Sequence, residues 1–328
     1  MIISRAPLRI SFVGGGSDIP AFYRKHGGAV LSTAIEKYVF VTLNKKFDNG
    51  IRVAYSRTEE VALVNEIEHN LVRAAMNMVH PGGGVEITTI ADIPSRGTGL
   101  GSSSTFSVAL LHALHAFNGR YVSQHRLAEE ACRVEIDICG EPIGKQDQYA
   151  AAYGGFNLIE FHEDDTVDVT PVICKRSTIA TLQSHMILLY TGITRSASQL
   201  LKQQSADVDA DRNKTGMLKR MVELTRDMRD ELQSDSLANF GEILHENWEL
   251  KKGLTAGIST SDIDDSYELA RKHGAIGGKI LGAGAGGFLL LFAPPERHDA
   301  ICHALRQLRP IEFKLARHGS QIIFSNID

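Results

Sequence analysis

A chain of 328 residues, 43% hydrophobic, 23% charged and 7% aromatic, has the make-up of a globular protein with a sizeable core and a length that suits two domains of moderate size. Its 35 Lys and Arg against 39 Asp and Glu leave a net charge of −4, which argues against nucleic-acid binding as the main activity and leaves room for local basic patches that hold a phosphorylated metabolite. The four cysteines form neither a C-x-x-C pair nor a zinc spacing, no apolar run is long enough to cross a membrane, and Met1 leads into Ile2-Ile3 without a signal peptide, so the expectation is a cytoplasmic protein with free thiols and no membrane partner.

Leu8 to Val13 alternates apolar and polar residues and breaks on Gly14-Gly15-Gly16, a strand entering a loop. Tyr38 to Leu43 and Ile51 to Tyr55 are β-rich, and Asp48-Asn49-Gly50 between them predicts a hairpin turn. Glu59 to Val79 is expected to be helical, and Val85 to Ile90 to be a strand delivering the chain to Pro94-Ser95-Arg96-Gly97-Thr98-Gly99-Leu100-Gly101-Ser102-Ser103-Ser104. The nearly apolar run Thr105 to Phe117 follows as a buried helix. Ser123 can cap a second helix with Leu127, Ala131, Val134 and Ile138 on one face, ending near Gly140, and Pro142 and Gly144 force a turn before Asp147. His185 to Tyr190 reads as a strand, Ser196 to Leu232 as a long charged helical region, Ser261 to His273 as a helix and Phe288 to Phe292 as a strand. The last part predicts a β/α layer with its helices on one face, and the domain boundary is expected near residue 180.

Strand, glycine loop and buried helix together describe an anion site. Glycines allow close backbone approach, and the first amides and positive dipole end of the helix aim at the anion. No G-x-x-x-x-G-K-[ST] sequence occurs, which excludes a P-loop kinase. Gly282-x-Gly284-x-x-Gly287 matches a dinucleotide fingerprint in letters only, because the strand Phe288 to Phe292 follows it where a helix is required. The better expectation is a tight loop that brings bare backbone to a ligand or to the first glycine loop.

Ala6-Pro7-Leu8-Arg9-Ile10 with Gly15-Gly16-Ser17-Asp18, the loop from Pro94 to Ser104, and Lys279-Ile280-Leu281-Gly282-Ala283-Gly284-Ala285-Gly286-Gly287 resemble, in order, the three motifs of the GHMP kinase superfamily. The resemblance implies a two-domain α+β fold: an N-terminal ATP-binding domain over 1–180, like the second domain of ribosomal protein S5, and a ferredoxin-like C-terminal domain over 181–328. It implies ATP and Mg²⁺ as cofactors. Gly97, Thr98, Gly99, Leu100, Gly101, Ser102, Ser103 and Ser104 would bind ATP, and Ser103 resembles the metal-binding serine, with Ser102 as the alternative. Glu135, on the helix before Gly140, fits the metal-binding carboxylate; its other reading is a surface ion pair with Arg133 or Lys145. Gly144-Lys145-Gln146-Asp147 resembles the segment whose aspartate faces the acceptor hydroxyl, so Asp147 is the candidate general base and Arg9 its candidate partner.

The Gly-Gly-Gly-Ser-Asp form of the first motif, with Gln146-Asp147-Gln148-Tyr149 and His245-Glu246-Asn247-Trp248-Glu249-Leu250-Lys251-Lys252, is similar to the D-glycero-D-manno-heptose 7-phosphate kinases and related fucokinase domains, and departs from galactokinase. This implies a sugar-phosphate acceptor phosphorylated at C1, bound by Gly15, Gly16, Ser17, Asp18 and Gly284. A basic clamp for its distal phosphate has Arg195, Lys251 or Lys252, and Lys175 or Arg176 as candidates. Adenine is expected near the loops after Tyr38 to Leu43 and around Ser56-Arg57. A fucokinase-like enzyme or a catalytically silent regulator on the same fold is the alternative; Arg9, Ser103, Glu135 and Asp147 being all present counts against the silent one. A homo-oligomer is left open.

Overall fold

The computed structural model describes residues 1–80, 82–93, 99–193 and 197–326. The larger of two sheets holds β1 (Ile2–Val13), β2 (Gly28–Lys45), β3 (Ile51–Ala54), β4 (Thr58–Val61), β5 (Val85–Ala91), β6 (Phe156–Phe161) and β7 (Val167–Pro171). The smaller holds β8 (Met186–Tyr190), β9 (Gly277–Ile280), β10 (Phe288–Phe292) and β11 (Arg309–Pro310) in the order β11-β8-β10-β9. A last strand, β12 (Gln321–Ser325), returns to the larger sheet and pairs antiparallel with β1. That sheet runs β12-β1-β2-β5-β3-β4, with β6 pairing the first part of β2 and β7 pairing β6. Proline has no N–H for the ladder, and the β1–β2 register shifts between Pro7 and Leu8.

The helices are α1 (Pro20–His26), α2 (Asn70–Val79), α3 (Ser102–Phe117), α4 (Gln124–Cys132), α5 (Gln146–Tyr153), α6 (Arg176–Ser184), α7 (Ala197–Ala210), α8 (Arg212–Gln233), α9 (Phe240–Lys252), α10 (Ser261–Lys272) and α11 (His298–Ala304). Helix α3 is apolar around most of its surface because it is enclosed by β1 and β2 on one side and by α2, α4 and α5 on the others. A second core gathers Trp248, Tyr267, Leu218 and Met221 against the smaller sheet. Alternation along β10 joins the two: Phe288, Leu290 and Phe292 enter the first core, Leu289 and Leu291 the second.

Three local expectations are corrected. Asp48 to Gly50 does not close a hairpin, because β5 lies between β2 and β3 and pairs with both. The stretch Glu59 to Val79 is helical only from Asn70; Thr58–Val61 pairs with β3 instead, and a short 3₁₀ turn Val64–Glu66 follows. The charged region after residue 196 is two helices, parted at Asp211, whose carboxylate caps α8 by accepting from the Asn213 amide at 2.8 Å. Helix α5, which begins at the turn after Gly144, and strands β6 and β7 were not foreseen. Residue 180 falls within α6, and β12 crosses back over that division.

Candidate active site

Of the first glycine loop, Gly97 and Thr98 lie outside the described residues, and the described part begins at Gly99. Gly99 sits at φ +78° with its α-carbon face on the turn that joins β9 to β10. A β-carbon there would lie 2.2 Å from the Leu281 carbonyl oxygen, and one on Gly282 would lie 2.4 Å from the Gly99 α-carbon. The two glycine loops therefore pack backbone on backbone, which only glycines permit. Gly101 is the N-cap of α3, among the described residues no side chain caps that helix end, and Ser102, Ser103 and Ser104 form its first turn. Leu100 is buried in the core, with its carbonyl accepting from the Arg9 amide at 3.2 Å.

Arg9, 3% exposed on β1, ties three elements together. Its Nε and Nη2 each donate to the Asp147 carboxylate at 2.8 Å, and Nη1 donates to the Gly99 carbonyl at 2.6 Å. This is a two-point guanidinium–carboxylate fork, a geometry lysine cannot supply. Asp147 is in the first turn of α5 and abuts the start of α3, since a β-carbon on Gly101 would stand 3.1 Å from its Oδ2.

Glu135 is 1% exposed and forms no ion pair among the described residues, which overturns the surface-pair reading. It lies in the π-helical stretch Arg133–Ile138 that continues α4. The Ser103 hydroxyl donates to its Oε1 at 3.1 Å, Ser104 bonds to it as well, and Gln148 Nε2 donates to its Oε2. Burial outweighs these bonds and pushes its carboxyl up to about 7. Asp137, two residues on, is exposed.

Asp18 is likewise buried. Its Oδ1 accepts from the Gly16 amide at 2.9 Å and from Gln146 Nε2 at 3.1 Å, and its Oδ2 from the Gln146 amide at 3.2 Å. Desolvation is the chief cause raising its carboxyl above the ordinary range, with the nearby Asp147 charge adding to it. Lys251, on α9 and 4% exposed, donates to the Gly282 carbonyl at 2.7 Å, and burial pushes its ammonium down to about 8.

These groups line one cleft of about 730 Å³. Val39, Tyr55, His69, Leu71 and Phe106 give it an apolar and aromatic wall, with Ser56 beside Tyr55; Gly16, Asp18, Gln146, Gln204 and Lys251 give it a polar one. Arg9, Asp147, Glu135 and the three serines also face it. Gly15 lies just behind the polar wall, where a β-carbon on it would stand 3.7 Å from both Gln146 Nε2 and Lys251 Nζ. Ser17 and Gly284 do not line the cleft: the Ser17 hydroxyl donates to and accepts from the Ala29 backbone, and Gly284 packs on the Ile258 backbone. Of the clamp candidates, Arg195 lies outside the described residues. Lys252 pairs with Glu249 at 2.8 Å and Asp264 at 3.6 Å, Lys175 pairs with Asp235 at 3.1 Å, and Arg176 is exposed at the start of α6. Lys251 alone of the four described candidates reaches the cleft. Sequence reasoning missed Gln204 altogether; a glutamine in a charged helix carries no signal of its own.

Residues 69–155 match the family of GHMP kinases N terminal domains, and residues 228–310 match GHMP kinases C terminal. The chain is 30% identical over 321 residues to the D-glycero-alpha-D-manno-heptose 7-phosphate kinase of Campylobacter jejuni, covering 93% of each protein. Against the bifunctional fucokinase/GDP-fucose pyrophosphorylase of Arabidopsis thaliana it is 27% identical, over 88% of this chain and 29% of that one. Among solved structures, a D-glycero-D-manno-heptose 1-phosphate kinase from Bacteroides thetaiotaomicron superimposes with a TM-score of 0.82 at 28% identity, covering 99% of this chain and 100% of the other. The galactokinase of Lactococcus lactis, at 18% identity and a TM-score of 0.78 over 98% of this chain and 94% of that one, shares the fold.

Proposed function

The chain belongs to the GHMP kinase family and is an ATP-dependent kinase, and on that premise we propose that it transfers the ATP γ-phosphate to the C1 hydroxyl of D-glycero-D-manno-heptose 7-phosphate. The product is the 1,7-bisphosphate, a precursor of a nucleotide-activated heptose. The observation that carries the reading is the position of Asp147: its carboxylate is held by the Arg9 fork, abuts Gly101 at the start of α3, and is next in sequence to Gln146, which grips Asp18. It thus stands between an anion-binding helix start and a polar pocket, where an acceptor hydroxyl and a γ-phosphate must meet.

In this reading the acceptor oxygen attacks phosphorus, the bond to the β–γ bridging oxygen breaks, ADP leaves, and the hydroxyl proton passes to Asp147. Arg9 orients Asp147 and faces the phosphoryl charge. The loop Gly97 to Ser104 holds the triphosphate, and the aromatic wall of Tyr55, His69 and Phe106 takes the base. Asp18 and Gln146 take sugar hydroxyls, and Lys251 is the one nominated cation within reach of an acceptor phosphate among the described residues. The half of the chain before about residue 180 supplies the ATP side, and the half after it supplies Lys251 and the Gly282 turn.

The donors around Glu135 fit Mg²⁺. One carboxylate with the Ser103 and Ser104 hydroxyls is a hard oxygen set, and a wholly buried carboxylate with no ion-pair partner among the described residues calls for a cation. Bound there, the ion supplies neutralisation of phosphate charge.

ADP release is the test, measured in parallel with the heptose 7-phosphate, the heptose 1-phosphate, fucose, galactose and mevalonate. The expected order puts the 7-phosphate first by about 100-fold in kcat/KM over the unphosphorylated sugars, with ³¹P NMR placing the new phosphate on the anomeric carbon. Preference for fucose or mevalonate, or phosphate at another carbon, overturns the proposal.

A further inference from the structure

Helix α7 presents Ser198, Leu201 and Gln204 to the cleft, one face at a spacing of three. Ser198 fastens the helix across it, its hydroxyl donating to Glu141 Oε2 at 2.8 Å. Gln204 lies deeper, 1% exposed, and among the described residues neither its Nε2 nor its Oε1 has a hydrogen-bond partner. Leaving a buried donor and acceptor both unmade is costly, and a fully orphaned side-chain amide calls for an explanation in terms of what it binds. Nor is it misplaced. Gly16, at φ +107°, leaves the space it fills, because a β-carbon there would come within 2.5 Å of the Gln204 Nε2. The Gly16 amide in turn donates to Asp18, so the orphaned carboxamide and the Asp18 carboxylate neighbour the same glycine in the polar wall; Gln146, whose Nε2 donates to Asp18, also has an Oε1 with no partner among the described residues.

We propose that Gln204 reads the acceptor: its Nε2 donates to one hydroxyl of a polyhydroxylated carbon chain and its Oε1 accepts from the next, beside the hydroxyls taken by Asp18. A primary carboxamide offers a donor and an acceptor about 2 Å apart, the spacing that a vicinal diol can bridge. Helix α7 is then the specificity element of the polar wall, contributed by the C-terminal half of the chain. This rests on the sugar-kinase reading above.

The test replaces Gln204 by Met, which keeps the length and removes both polar atoms, and by Asn, which keeps the chemistry one methylene short. With the heptose 7-phosphate and ATP, both variants are expected to raise the acceptor KM by about 10- to 100-fold while kcat and the KM for ATP stay within about twofold. Unfolding midpoints without substrate should stay level or rise for Gln204→Met, since an unmade pair has been removed. An unchanged acceptor KM in both variants, or an equal fall in kcat and ATP affinity, overturns the inference. If the wild-type enzyme turns over none of the five acceptors, the sugar reading fails by itself. Gln204 is then judged by thermal stabilisation of wild type and Gln204→Met with the same compounds. A shift lost in the variant upholds its role as a polyol reader, and equal shifts or none in both proteins overturn it.

Discussion

Replacing Glu135 by Gln isolates the cost of the buried carboxylate. Burial lifts its carboxyl from 4.5 to about 7, so between those values the folded protein keeps a proton that the unfolded chain gives up. Stability from this group is therefore fully present below about pH 4.5 and is lost as pH rises through 7. The shift of about 2.5 units at about 1.4 kcal/mol each amounts to about 3 kcal/mol. The glutamine carries no charge to desolvate, and the orphaned Gln148 Oε1 can accept from its new N–H. Glu135→Gln should thus unfold close to wild type at pH 5 and about 6 °C above it at pH 8 in the presence of a chelator, taking about 2 °C per kcal/mol for a chain of this length. Thermal unfolding followed by circular dichroism from pH 5 to 9 gives the comparison. A difference that stays flat with pH would refute the burial argument. Magnesium with ATP should reverse the order at pH 8, because the ion binds the ionised carboxylate alone, and the wild-type Mg²⁺ requirement should climb about tenfold per pH unit below 7.

Asp147→Asn keeps the shape and one bond of the fork; turnover should fall by about 10³-fold or more with ATP affinity, read by calorimetry, nearly unchanged. Lys251→Met should raise KM for a phosphorylated acceptor by about 10- to 100-fold and spare an unphosphorylated analogue. Because burial holds the Lys251 ammonium near 8, the wild-type KM should rise above that pH while the variant's stays flat. Gly99→Ala drives a methyl group into the Leu281 carbonyl at a positive φ and should cost about 2 kcal/mol or more; denaturant midpoints report it, and a wild-type midpoint would show that the loops do not bear on each other.

Local pattern made much of the site legible. The apolar run after three serines reads as an enclosed helix because α3 is packed on nearly every side, and Ser123 caps α4 where the sequence places a cap, accepting from the Arg126 amide at 3.3 Å. What stayed hidden depends on contacts between distant residues. Nothing near Asp48 to Gly50 tells that β5 will insert beside β2, since strand order is decided by parallel pairing of Ile51–Ala54 with Val85–Thr88. Thr58 to Val61 has a composition that fits a helix and becomes an edge strand because β3 needs a partner. Lys251 and Lys252 are adjacent letters; the turn of α9 buries one beside Gly282 and sends the other to Glu249. Gln204 gains its meaning only when Gly16 makes room for it.

The contact of Gly99 with Leu281 and Gly282 bears on whether the proposed nucleotide site is portable. In a P-loop protein the phosphate loop is one contiguous segment, and a fragment carrying it can be moved between proteins. Here one loop's wall is the backbone of a segment about 180 positions later, so a fragment ending before β9 would hold every N-terminal motif letter and lack the surface that shapes the loop. Gene fission, domain exchange or recombination with a distant relative should fail whenever the breakpoint separates the two glycine turns, even where the exchanged halves each fold, and succeed only when both are inherited together.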